Sequence, residues 1–175
     1  MVRAEPTLHQ CDLLPALPVP ILKDLPHPRD LGREETRRQP ARPEFWNVMV
    51  LSQTCDIEQE KVDQVLLARY VELSKLSKSE SQSGAKWRRK LRSGQLLPQL
   101  VLPPHAKEPT QDWSVVDFRV LVTLDLSYVM AHAASCEERL RIKPEFRHAY
   151  IGGFSSWIAR PDHLDQLADF DSTDS

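Results

Sequence analysis

The sequence predicts an α+β fold, a small and strongly bent β-barrel followed by a C-terminal helix. Two apolar runs rich in β-branched residues, VMVL at 48–51 and SVVDFRVLV at 114–122, read as strands. Between them VLLARYVEL, 65–73, reads as a returning strand, with Leu66, Ala68 and Tyr70 on one face. Beyond residue 131 the composition turns helical. A chain of 175 residues, 41% hydrophobic, is one domain with a core of its own.

Residues 1–43 form a Pro-rich N-terminal arm and loop, with eight of the 14 prolines. The apolar residues Leu13, Leu14, Leu17, Val19, Ile21 and Leu22 sit among Pro15, Pro18 and Pro20. Proline lacks a backbone N–H, so this stretch is expected as an edge strand or extended arm rather than a central strand. Residues 28–44, PRDLGREETRRQPARPE, read as a long, mobile, charged loop.

Residues 44–130 form the barrel body. Its first strand begins at Phe45 and ends near Ser52. The spacing of Val62, Val65, Leu66, Arg69, Tyr70, Leu73 and Leu76 also suits a helix, so 65–76 is strand or helix by pattern, and strand is preferred. KSESQSGAKWRRKLRSG is polar, with a short basic helix expected around Trp87, and QLLPQLVLPP is extended. WSVVDFRVLVTLDLSYV, 113–129, alternates Val116, Phe118, Val120 and Val122 on one face.

Residues 131–161 form the C-terminal helical segment: Pro144 suits a first turn and Pro161 a stop, with a kink expected at Gly152–Gly153. Residues 162–175 carry five Asp and no Lys or Arg, and read as an acidic tail.

A net charge of −2 argues against a generally polycationic nucleic-acid binder and leaves room for a local basic patch. Three widely spaced cysteines, Cys11, Cys55 and Cys136, form no disulfide framework, so a reducing cytoplasm is expected. No signal peptide or membrane span is legible. With five glycines and no GxGxxG or Walker motif, a Gly-cradled phosphate site is not expected.

The blocks HQCDLLPALPVP, VMVLSQTCDI with VLLARYVEL, and SVVDFRVLVTLDLSYV follow one another in an order that resembles the PemK/MazF-type small barrels. Asp12, Ser52 and Asp117 fall in comparable places. That resemblance implies an SH3-like barrel. It also implies an RNA-cleaving site made from an arginine of the first long loop and a threonine after the returning strand. This loop offers Arg33, Arg37, Arg38 and Arg42, the returning strand ends in Glu72-Leu73-Ser74 without a Thr pair, and Cys11 stands where the opening glycine belongs. The barrel is thus better supported by the resemblance than the nuclease. The chain also resembles uncharacterised bacterial proteins with an LSQTCD signature and a helix ending in Arg-Pro, as in WIARP.

Two groups of residues are candidate sites. Cys55 and Asp56, in the SQTCD cluster after a buried strand, are candidate catalytic residues. A nucleophilic thiol needs a base, for which His105, His132 and His148 are available, since a neighbouring carboxylate works against the thiolate. The structural alternative is a turn hydrogen-bonded by Ser52, Thr54 and Asp56, in which Asp56 accepts backbone N–H groups and Cys55 is a buried small hydrophobe. Cys55, Asp56, His105 and Cys136 match no zinc spacing, so neither metal nor cofactor is expected.

The second group is KWRRKLR. It places Lys86, Arg88, Arg89, Lys90 and Arg92 around Trp87, a pattern that suits phosphates and a stacked base of RNA. Its bland alternative is a solvated helix face with Trp87 turned inward.

Two function classes follow. The first is a non-catalytic interaction module or accessory subunit of a bacterial conflict, phage-defence or toxin–antitoxin-like system, with a protein partner and no membrane. The second is a MazF-type endoribonuclease.

Overall fold

The runs VMVL and VLLA are apolar at every position because both faces of the sheet they form are covered. The computed structural model describes residues 1–3, 7–21, 42–76, 85–96, 98–104, 113–137 and 139–159. Within them the chain runs β1 (Val2–Arg3), β2 (Asp12–Ile21), β3 (Arg42–Val50), α1 (Thr54–Glu58), β4 (Gln64–Glu72) and a 3₁₀ turn (Leu73–Lys75). It continues through α2 (Ala85–Arg92), β5 (Gln99–Leu102), β6 (Ser114–Asp125), α3 (Leu126–Ser135), β7 (Leu140–Arg141) and α4 (Pro144–Ile158).

Seven strands form one antiparallel sheet in the order β1-β7-β2-β3-β4-β6-β5. The fold is α+β with a curled, half-barrel sheet. Val48, Val50, Val65 and Leu67 face Leu126, Val129 and Ala133 of α3, while Met49, Leu51, Ala68 and Tyr70 face α4 through Tyr150, Phe154 and Trp157. Among the described residues the two edges, β1 and β5, do not pair with each other; Met1, Leu100 and Val101 line one cavity between them, beside α4.

The Pro-rich segment is a full strand, not an arm. β2 pairs with β3 from Leu13 to Ile21 and with β7 at Asp12 and Leu13, so its start lies inside the sheet. The prolines are tolerated because they fall beyond the β7 pairing, where one edge of β2 needs no ladder donor. Register shifts between Leu14 and Leu17, where Ala16 takes φ 47° and its N–H is accepted by Asn47 Oδ1 at 2.9 Å. On that outer edge the carbonyls of Pro18 and Pro15 accept from Tyr128 Oη at 2.8 Å and His132 Nε2 at 2.9 Å, both on α3.

Residues 64–72 are strand, as preferred over helix. Three other expectations change. First, the strand expected to run through Val129 ends at Asp125, whose carboxylate caps α3 by accepting from Ser127 N and Tyr128 N. The helical segment expected from Ala131 is therefore two helices separated by β7.

Second, the alternation in β6 breaks where its register against β4 jumps between Ala68 and Arg69, so Val116 and Phe118 share a core with Leu121 rather than with Val122. Third, α4 passes through Gly152–Gly153 without a break. A Cβ on Gly153 would lie 2.8 Å from Leu100 Cδ1, so glycine there leaves room for the Leu100 side chain. Most of the charged loop 28–44 and the whole tail 162–175 lie outside the described residues. Among the described residues no helix is long and apolar enough to cross a membrane.

Candidate nucleic-acid interface

The basic helix forms where expected and is held down by its two apolar residues. Trp87 and Leu91, four apart, share one face of α2 and pack on Val115, Leu73 and Val101. Gly94, at φ 69°, ends the helix: its N–H reaches Leu91 O at 3.2 Å and Gln95 N reaches Lys90 O at 3.0 Å. This is a Schellman closure, and Arg89, Lys90 and Arg92 in the last turn suit the negative end of the helix dipole.

Trp87 is only 9% exposed and donates from Nε1 to Gln99 Oε1 at 3.1 Å: it is turned inward, as the solvated-face alternative expects, and a ring anchored in the core does not stack on a base, which corrects the stacking role. Gln99 in turn donates to Asp117 Oδ2 at 2.7 Å, and Arg119 grips the same carboxylate. Burial alone would raise the Asp117 pKa. The hydrogen bonds from Arg119 and Gln99 outweigh it and hold the group below its ordinary 3.8.

The five cations of α2 are all exposed, on more than one face. Arg88 and Arg92, one turn apart, line a cavity of about 510 Å³ floored by Leu91, Leu73 and Val101. Lys86, Arg89 and Lys90 lie outside this lining. Trp113, 48% exposed and immediately before β6, lines the same cavity. Its carbonyl accepts from Leu73 N at 2.7 Å, which fixes the backbone beneath the ring.

The sequence reading missed Trp113, treating it only as the first residue of a strand. Its one legible signal is an aromatic following the polar QD pair, just outside the alternating pattern. A cavity with two guanidinium groups and an accessible indole suits phosphates together with a flat base.

The SQTCD cluster is a brace. Ser52 Oγ accepts from Leu66 N at 2.9 Å and Thr54 Oγ1 from Gln10 N at 3.1 Å, so the two hydroxyls hydrogen-bond as expected, though to distant segments, while among the described residues the Asp56 carboxylate captures no backbone N–H. Asp56 Oδ1 lies 3.7 Å from Cys55 Sγ, and Cys55 is exposed rather than buried. Of the three candidate bases, His105 lies outside the described residues, His132 is engaged with Pro15 O, and His148 is exposed on α4. The histidine brought to α1 is His9, whose Nε2 is 3.1 Å from Glu58 Oε1.

Nearby, Asp12 is fully buried between Arg141, bonded to both its oxygens, and Arg139, 3.5 Å away. It also accepts from His9 N at 3.0 Å, closing the turn before β2. Burial pushes the adjacent Cys11 thiol up to about 12, so it stays protonated. Burial also raises the Cys136 thiol, which lies 3.4 Å from His132 O. Among the described residues no three His, Cys, Asp or Glu side chains gather as a metal site.

No protein family matches this chain by its sequence profile, and no curated protein is significantly similar to it.

Proposed function

We propose that the protein is a non-catalytic binding module on an SH3-like barrel, and that it holds single-stranded nucleic acid, RNA above all, in the cavity between α2 and Trp113. The observation that carries this reading is the shared lining: Arg88 and Arg92 from one helix line one cavity with Trp113 and the apolar Leu73, Leu91 and Val101. The guanidinium groups pair with phosphates and the indole stacks on a base, a combination that tolerates any sequence. A module of this kind acts by holding RNA for another subunit, in keeping with the accessory role expected from the sequence.

The ribonuclease alternative draws less support. The threonine that it needs after the returning strand is missing, where Glu72-Leu73-Ser74 stands instead.

The test is fluorescence anisotropy with a labelled single-stranded RNA of about ten nucleotides, using the wild type and Trp113→Ala. Loss of one stacked base weakens binding by about 1–3 kcal/mol. Equal affinity of the two proteins contradicts the proposal.

A further inference from the structure

We propose that Ser74 reads the ribose 2′-hydroxyl of the nucleotide held in the α2 cavity, and so sets a preference for RNA over DNA. The inference rests on the function proposed above and deepens it: that reading assigns the cations and the indole of the cavity, and Ser74 is the polar lining side chain it leaves unassigned.

The local chain puts Ser74 at the cavity. β4 ends at Glu72 and the 3₁₀ turn Leu73–Lys75 follows directly. Leu73 N donates to Trp113 O at 2.7 Å and Leu76 N to Leu73 O at 3.4 Å, so the turn is closed on itself and tied to the backbone of Trp113. The Leu73 side chain packs into the small apolar cluster of Trp87, Leu91 and Val115. Ser74, the next residue, is exposed and lines the cavity. Its charged neighbours are engaged with each other: Lys75 Nζ pairs with Glu72 Oε1 at 3.0 Å, and neither is part of the lining.

The hydrogen-bonding inventory singles Ser74 out. A guanidinium donates and has no acceptor, and an indole N–H only donates. Leu73, Leu91 and Val101 offer neither. Among the described residues, Ser74 Oγ is therefore the side-chain acceptor of the lining. Phosphodiesters only accept, and the donors on base edges change with sequence. The ribose 2′-hydroxyl donates at every ribonucleotide and is missing from DNA. The sugar joins base to phosphate, so a base on Trp113 and a phosphate on Arg88 or Arg92 bring the ribose into the same cavity. A serine hydroxyl can donate and accept at once. Ser74 can thus accept from the ribose alongside its interaction within the protein.

The test is fluorescence anisotropy on the full chain with single strands of one length. Oligouridine is compared with oligodeoxyuridine, and oligoadenosine with oligodeoxyadenosine. One net hydrogen bond separates ribose from deoxyribose, so the wild type is expected to bind each RNA roughly two- to tenfold tighter than its DNA counterpart. Ser74→Ala is expected to lose that gap by weakening on RNA alone, with its DNA affinity unchanged. Ser74→Thr, which keeps a hydroxyl, is expected to retain it. RNA methylated at the 2′-oxygen can no longer donate and should bind the wild type no tighter than DNA. A structural defect in Ser74→Ala weakens RNA and DNA together, so the ratio of the two affinities isolates the contact.

A gap that persists in Ser74→Ala overturns the assignment. So does a gap confined to one base, because Ser74 then reads a base edge. If the wild type binds RNA and DNA equally and Trp113→Ala weakens both, the assignment falls and the nucleic-acid reading stands. If the wild type binds neither, both fall.

Discussion

Trp87 Nε1 donates to Gln99 Oε1 at 3.1 Å, and this one bond ties the basic helix α2 to the first residue of β5. Around it Trp87, Leu91 and Val115 make a small apolar cluster separate from the two larger cores. The cations of α2 therefore stand on a platform fixed from below, and Trp87 contributes to the stability of that platform.

Replacing Trp87 by Phe keeps most of the apolar contact and removes the donor. Gln99 Oε1 is then left buried without its partner, at a cost of about 1–3 kcal/mol in chemical denaturation. RNA affinity measured well below the unfolding midpoint should change little, because the ring is not on the cavity wall. A variant as stable as the wild type would show that the bond does not hold α2 down.

Asp117 supplies a pH-dependent part of the same support. Its folded pKa lies below its ordinary 3.8, because bonds from Arg119 and Gln99 outweigh burial. A depressed carboxylate stabilises the fold fully above its unfolded pKa, and that contribution is lost as pH falls through the folded value. Urea midpoints of the wild type and Asp117→Asn should differ by a constant amount above about pH 5 and converge below about pH 4. A gap that widens on acidification would mean that the carboxylate is not stabilised in its charged form.

The two glycines of α4 should respond differently. A Cβ on Gly152 meets open space, so Gly152→Ala gains about 1 kcal/mol of helix propensity. A Cβ on Gly153 meets the tip of the Leu100 side chain, which must turn aside, so Gly153→Ala should gain less in melting temperature than Gly152→Ala. An equal gain from both substitutions would contradict the contact between position 153 and the Leu100 side chain.

The sequence was most informative where one physical rule acts alone. The apolar centres of β3 and β4 and the basic helix at KWRRKLR follow from local pattern, and all three formed. β2 was obscured because proline argues against a strand only where the neighbouring edge needs an N–H, and which edge is paired is a tertiary fact. The α3 start was obscured by an apolar run that continues across the strand–helix junction, although Asp125 two residues before Ser127 is a readable cap. Within the site, Arg88 and Arg92 were legible. Trp113 was not, because 20 residues of chain separate it from Arg92, and the pairing of β6 with β5 and β4 brings it to the cavity.

The most direct measurement of the central claim is the salt dependence of RNA binding by the wild type and by a variant carrying Arg88→Gln and Arg92→Gln. Each phosphate paired on a single strand contributes about −0.7 to the log–log slope, so removing both contacts should flatten it by about 1.4. Trp113→Ala should weaken binding and leave the slope unchanged, since stacking releases no counterion. If the double variant keeps the wild-type slope and affinity, the cavity between α2 and Trp113 is not where RNA binds.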